Sequence, residues 1–135
     1  MINLSEKLGE MSFDGLITDY KPAAQVRGGV LRKVTGEAVT MKRGTVLAKS
    51  SGSAGDGKLV VLGTDATSNE TLTPDCILCD DIEVGTENDE NVTVYTAGCF
   101  DPGKVIVADE YTITEGDLDA LRMRDIVFKA AAPAV

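Results

Sequence analysis

The stretch "PDCILCDDIEV", residues 74–84, places two cysteines three positions apart in an apolar run that ends in acids. Read as a metal or redox motif, it would make the chain a zinc module or an oxidoreductase. Read as a strand, it makes the chain a β domain. Successive side chains of a strand alternate between faces, so Cys76 and Cys79 point to opposite sides and cannot share one ion unless the segment bends. A structural zinc site wants four nitrogen or sulfur ligands. The sequence offers one further cysteine, Cys99, and no histidine, so Asp80 or Asp81 would have to complete an uncommon set. A redox pair wants its thiolate at a helix start, whereas Asp80 and Asp81 raise the pKa of a neighbouring thiol. The strand reading stands: the cysteines are core residues, and no metal, cofactor or catalytic residue is expected. Three thiols titrating freely under native conditions, without bound zinc, would exclude the rival.

Outward from this stretch the β texture continues. Short apolar runs, "EAVTM", "TVLAK", "KLVVL", "CILCDDIEV", "VTVYTA" and "KVIVA", alternate with "KRG", "SSGSAGDG", "GTDATSNETLTPD", "GTENDEN" and "FDPG" between residues 28 and 108. The breaks are rich in Gly, Pro, Asn and Asp, the residues turns need. Evenly spaced short strands with turn signals predict a sandwich or barrel. "VTVYTA" alternates, with Val92 and Val94 on one face and Thr93 and Tyr95 on the other. A β-α-β rhythm is absent, which argues against a doubly wound nucleotide fold. One helix is predicted in "TITEGDLDALRMRD", with Thr114 as cap, Asp117 as the capping-box acid, Ile113 as a staple against Leu118, and Leu118 and Leu121 on one face. "IVFK" follows as a short strand, and "AAAPAV" as a tail.

Composition narrows the function classes. The 135 residues carry 13 basic and 22 acidic side chains, a net charge of -9, with 43% hydrophobic and 26% charged residues. That length suits one domain. The acidic balance repels phosphate backbones and anionic bilayers, so neither nucleic acid nor membrane is an expected partner. With no histidine, the commonest general base and the Ser-His and Cys-His couples are missing. The start carries no basic and apolar leader pattern, so cytosolic synthesis without export is expected.

Two local patterns resolve to plain structure. In "GSAGDGKL", Gly52, Gly57 and Lys58 have phosphate-loop spacing, but Leu59 stands where Ser or Thr would hold Mg²⁺, and a strand follows instead of a helix. It reads as a hairpin loop. The acids Asp75, Asp80, Asp81, Glu83, Glu87, Asp89 and Glu90 lack the spacing of a calcium loop. Glycoside hydrolysis by paired carboxylates wants an aromatic-lined cleft, and aromatics are only 4%. These acids read as a solvated edge that blocks sheet-to-sheet aggregation.

Residues 1–27 show no sustained period and read as an N-terminal arm, mobile when unbound, ahead of a single domain spanning 28–135. Leu16, Ile17, Tyr20 and Pro22 are costly to leave in water, which predicts a docking partner for "LITDYKPA".

From Asp14 onward the order of these pieces resembles the phage head decoration proteins of the lambda type. A "K-R-G-T-V-L-K"-like turn is matched by Lys42, Arg43, Gly44, Thr45, Val46, Leu47 and, after one extra residue, Lys49. A "G-K" hairpin is matched by Gly57 and Lys58, and an "L-D-V"-like strand by "ILCDDIEV". An "a-G-x-F" segment falls on Ala97, Gly98, Cys99 and Phe100, and an "A-L-R-x-R-x-I" pattern on Ala120, Leu121, Arg122, Arg124 and Ile126. The longer "GTDATSNETLTPD" connection and the three cysteines depart from that pattern.

The resemblance implies a mainly β fold, a small barrel or sandwich-like domain of the β-tulip type with one short C-terminal helix and an extended N-terminal arm. It implies a homotrimer on the outer surface of the virion head, made in the bacterial cytoplasm, with the major capsid protein as partner and no enzymatic activity. The arm residues expected in contact are Leu16, Ile17, Thr18, Tyr20 and Pro22, through β-addition to a capsid edge. The alternative is a β-rich binding module of a phage fibre or surface protein that contacts carbohydrate or host.

Overall fold

The computed structural model describes residues 14–130. The expected arm residues 1–13 and most of the expected tail, residues 131–135, lie outside the described residues. The strands are β1 (Ile17–Asp19), β2 (Gln25–Leu31), β3 (Val39–Met41), β4 (Val46–Ser51), β5 (Leu59–Val61), β6 (Thr71–Leu78), β7 (Ile82–Val84), β8 (Glu90–Phe100) and β9 (Ile126–Phe128), with one helix, α1 (Glu115–Arg122), ahead of β9.

Five strands close on themselves in the order β8-β2-β5-β4-β6, with β6 pairing back onto β8. The ladders are antiparallel except β2–β5, where Leu31 lies beside Leu59. Beyond the closed barrel, β8 carries β1 antiparallel and β9 parallel on its last residues. β3 and β7 form a separate two-stranded sheet. The expectation of a mainly β, barrel-like domain with one short helix near the C-terminus holds in this form.

Over β4, β5 and the second half of β6 the barrel wall has two dry faces, and this explains the continuous apolar runs. In β4, Leu47 packs inside the barrel while Val46 and Ala48 face a second core outside it; in β5, Leu59 is inside and Val60 outside. Cys76 and Leu78 join the inner cluster, Ile77 and Cys79 the outer one. A strand buried on both faces needs no polar partner positions, so it reads as unbroken hydrophobicity. The outer core is completed by Leu16, Phe100, Leu121 of α1 and Ile126 of β9. Tyr95 lies in it with its ring 5.3 Å from that of Phe100. Each such fully buried aliphatic or aromatic side chain contributes roughly 1.5–3 kcal/mol.

Several sequence expectations need correction. "CILCDDIEV" is not one strand: β6 ends at Leu78, and β7 begins at Ile82 in a different sheet. "TLTPD", assigned to a connection, is the first half of β6. Pro74 is tolerated because the register shifts there, Leu47 facing Cys76 while Ala48 faces Pro74, so Asp75 is the extra residue of a bulge. "KVIVA" forms only a single bridge, Thr45 to Ile106, because Ile106 exchanges main-chain bonds with Gly44 and Val46 alone. The expected arm boundary at residue 27 falls inside β2, whose seven residues pair along β8 from Gln25 to Leu31. Gly29 in β2 lies close against β5: a Cβ there would be 2.8 Å from Leu59 Cδ1, and the end of that side chain would have to shift.

The helix forms as its caps dictate. Thr114 Oγ1 accepts from the Asp117 amide at 3.1 Å, and the Asp117 carboxylate accepts from the Thr114 amide at 3.0 Å. Tyr111 adds its hydroxyl to that carboxylate. This capping box satisfies donors that a helix start leaves unpaired.

Candidate functional site

The segment expected to contact a partner begins at Asp14, which accepts from Arg43 Nε at 2.7 Å. Arg43 also donates through Nη1 to the Tyr95 hydroxyl at 2.5 Å and to the Cys79 carbonyl at 3.1 Å. Its own amide donates to Asp81 at 2.7 Å. The turn that follows β3 thereby ties the start of the described chain to β8 and to the end of β6. Burial opposes the charge on Arg43, but its bonds to Asp14 and Tyr95 outweigh that and keep it protonated.

The five expected arm residues divide. Leu16 is a core residue, 2% exposed, with its carbonyl accepting from the Asp101 amide at 2.8 Å. Ile17 pairs with Phe100 in the β1–β8 ladder. Thr18 donates to the Lys129 carbonyl at 2.7 Å and lies 3.5 Å from Cys99 Sγ. Asp19 reaches Lys129 Nζ at 3.2 Å. Tyr20 alone of the five is fully presented, 77% exposed, and Pro22 is half-buried behind a cis Lys21–Pro22 peptide. Leu16 is therefore not free for a partner. Among the described residues β1 pairs with no strand besides β8, so its outer edge is open beside Tyr20.

The cysteines stand as the alternation required, Cys76 inside the barrel and Cys79 outside it. All three thiols are buried and free. Burial pushes the Cys76 thiol far up and the Cys79 thiol up to about 11, with the neighbouring carboxylates Asp75 and Asp80 adding to it. Because all three thiols are buried, native thiol titration does not discriminate the zinc rival, and elemental analysis is the test that does. Among the described residues no group of three or more Cys, Asp or Glu side chains is placed to hold a metal ion. Lys58 pairs with Asp89 at 2.6 Å in the loop region where the phosphate-loop spacing occurs.

Two ionic clusters escaped sequence reading. Asp75, expected on a solvated edge, has a side chain only 2% exposed, held by Arg27 at 3.2 Å and Arg124 at 2.9 Å. Arg32 grips Asp56 with two bonds, at 3.0 and 2.9 Å, and Glu70 with one at 2.6 Å. Glu70 also accepts from the Ser50 hydroxyl at 2.5 Å and the Thr67 amide at 3.0 Å. The Ser50 hydroxyl, the Thr67 amide and Arg32 hold the Glu70 carboxyl down at about 2. Hydrogen bonds from Arg32 hold Asp56 at about 2. Each cluster joins residues far apart in the chain, so no local pattern marks the first. Nothing local marked the second.

These clusters tie strands of the barrel to one another and to the turn before β9. Among the described residues no buried side-chain nitrogen or oxygen lacks a hydrogen-bond partner. Of the other acids of the expected edge, Asp80, Asp81, Glu83 and Glu87 are exposed along β7 and its flanks, while Asp89 and Glu90 are half-buried. No family model matches the chain, and no curated protein matches it.

Proposed function

We propose that the chain is a structural virion protein, a homotrimeric head decoration protein of the lambda type. It binds the outer surface of the expanded phage capsid at threefold positions and stabilises it against the pressure of packaged DNA. Its partner is the major capsid protein, its fold is of the β-tulip type, and it carries no catalytic site or cofactor. The observation that carries this reading is the open edge of β1 with Tyr20 exposed at its end, in the segment where the resemblance puts capsid contact.

An edge strand of this kind takes an extended partner by β-addition, main-chain bonds giving affinity and an exposed aromatic giving an anchor. Three edges on one trimer bind together at high effective concentration, which offsets weak single contacts. The surface charge suits a position outside the shell, away from DNA. Tyr20 is the one exposed aromatic among the described residues, a poor platform for carbohydrate, which favours this reading over the surface-binding module.

The test is saturable binding to expanded heads and its absence on unexpanded ones. Because Leu16 belongs to the core, the discriminating variant is Tyr20→Asp and not a deletion through Lys21. Loss of head binding with an unchanged melting temperature supports the proposal; undiminished binding sinks the assignment of this edge. Light scattering should report about 43 kDa, three times the 14.2 kDa chain, and a monomer at working concentration would overturn the trimer.

A further inference from the structure

Two strand edges of opposite charge are left open. β5 meets β2 only at Leu31, beside Leu59, and the Arg32 amide donates to the Leu59 carbonyl at 2.9 Å. Main-chain groups of successive strand residues alternate between sides, so Val26 and Gly28 turn theirs toward the side that β5 occupies farther on. Because β5 runs parallel to β2 and starts beside Leu31, among the described residues no strand covers Val26 to Gly29 on that side. Val26 and Val30 are left in water, 56% and 39% exposed. From Tyr20 to Gly36 the chain carries Lys21, Arg27, Arg32 and Lys33 and no acid. This is a cationic edge on a chain of net charge -9.

β3 is the second edge. Among the described residues it pairs only with β7. A groove of about 310 Å³ beside it is lined by Val39, Met41, Val61, Ile106, Val107 and Asp109. Val39 and Ile106 are each 41% exposed, large aliphatic side chains left in water. Acids rim this edge: Glu37 precedes Val39 by two residues, Glu83 pairs with Thr40, and Asp109 lines the groove. Lys42, a cation of the lining, pairs with Asp81 at 3.8 Å. An open edge next to an apolar trough is a template for an added strand.

We propose that β2 of one copy adds to β3 of the next, head to tail, and that this contact closes the homotrimer. Val26 and Val30 share one face of β2 and cover Val39 and Ile106 of the neighbouring copy, while the basic stretch meets the acid rim. Main-chain bonds and apolar cover supply affinity, and the charges set which edge meets which. Pairing like with like is disfavoured, because β3 against β3 sets acids against acids and β2 against β2 sets cations against cations. Each copy carries one edge of each kind, so the contact is heterologous and a closed ring satisfies every edge. The inference rests on the homotrimer proposed above and supplies its interface; the β1 edge offered to the capsid is not part of it.

Light scattering on the full-length protein and its variants tests it. Val26→Asp on one edge and Ile106→Asp on the other should each keep the wild-type circular dichroism spectrum and lose mass threefold, to the 14.2 kDa of one chain. Val39→Asp, in the same groove, repeats the second arm without touching the main-chain bridge at Ile106. Mixed in equal amounts at the same total concentration, Val26→Asp and Ile106→Asp should gain mass toward two copies, because one intact contact remains between them. A wild-type trimer that survives the substitutions on either edge overturns this interface and leaves the trimer standing. A wild-type monomer overturns both. A mixture no heavier than its components overturns the head-to-tail arrangement.

Discussion

Arg124 holds Asp75 across 2.9 Å and so fastens the turn between α1 and β9 to the bulge of β6. Arg27 of β2 holds the second carboxylate oxygen at 3.2 Å. The carboxylate is buried while both arginines are about half exposed, which makes the pair asymmetric under mutation. An arginine that loses its partner returns to water, but a carboxylate stripped of both arginines stays inside uncompensated.

Arg124→Ala should therefore cost about 1–2 kcal/mol, the worth of a charge-assisted bond. The double variant Arg27→Ala/Arg124→Ala should cost about 3 kcal/mol or more, above the sum of the singles. Urea midpoints of the two singles and the double decide it. Additive losses would mean that the carboxylate reaches water.

The Arg32 cluster predicts acid sensitivity. The Asp56 and Glu70 carboxyls lie at about 2, against 3.8 and 4.5 for unperturbed groups. A depressed folded-state pKa contributes stability that is complete above the unfolded pKa and lost as pH falls toward the folded one. The urea midpoint should hold steady between about pH 5 and pH 8 and decline between about pH 4.5 and 2. In Arg32→Ala that decline should flatten. An unchanged slope would place the acid sensitivity elsewhere.

The thiols predict the opposite limb. Cys79 is raised to about 11 and Cys76 further still. Their contribution is complete below the unfolded thiol pKa near 9 and is lost as pH rises toward the folded values. Stability should fall above about pH 9. At pH 8 a thiol reagent should label none of the three cysteines promptly in the native protein and all three in guanidinium. Prompt native labelling of Cys76 would contradict its place inside the barrel.

Gly63 has φ of 101°, and a Cβ there would lie 2.5 Å from Tyr111 Cγ. Gly63→Ala should cost about 2–3 kcal/mol through strain and displacement of Tyr111 from the α1 cap. Gly57→Ala, at φ of 76° but facing open space, should cost less. Thermal melts of the pair separate backbone strain from collision.

Much of the fold was legible locally. The opposed faces of Cys76 and Cys79, the alternation of Val92 and Val94 against Thr93 and Tyr95, and the cap at Thr114 each rest on spacing within a few residues. The strands that escaped did so for physical reasons. β2, "QVRGGVL", has two glycines and mostly exposed side chains, so it carries no hydrophobic pattern; pairing with β8 defines it. β6 contains a proline, which ordinarily argues against a ladder, and only the bulge opposite Ala48 makes room for it. "KVIVA" looks more like a strand than either, yet it makes a ladder bridge only at Ile106, its other main-chain bonds going from Lys104 to Asp101 and from Ala108 to Leu62.

The expected contact segment shows the same division. Its apolar residues marked it as something that must be covered, but Leu16 is covered by the chain's own core while Tyr20 is left in water. By itself, then, the sequence determined periodicity, caps and turns, because those depend on neighbours along the chain. The tertiary structure decided which faces are dry, since over β4, β5 and the second half of β6 the wall has two interiors. It also decided which charges meet, because Arg27, Asp75 and Arg124 become neighbours only after the barrel has closed.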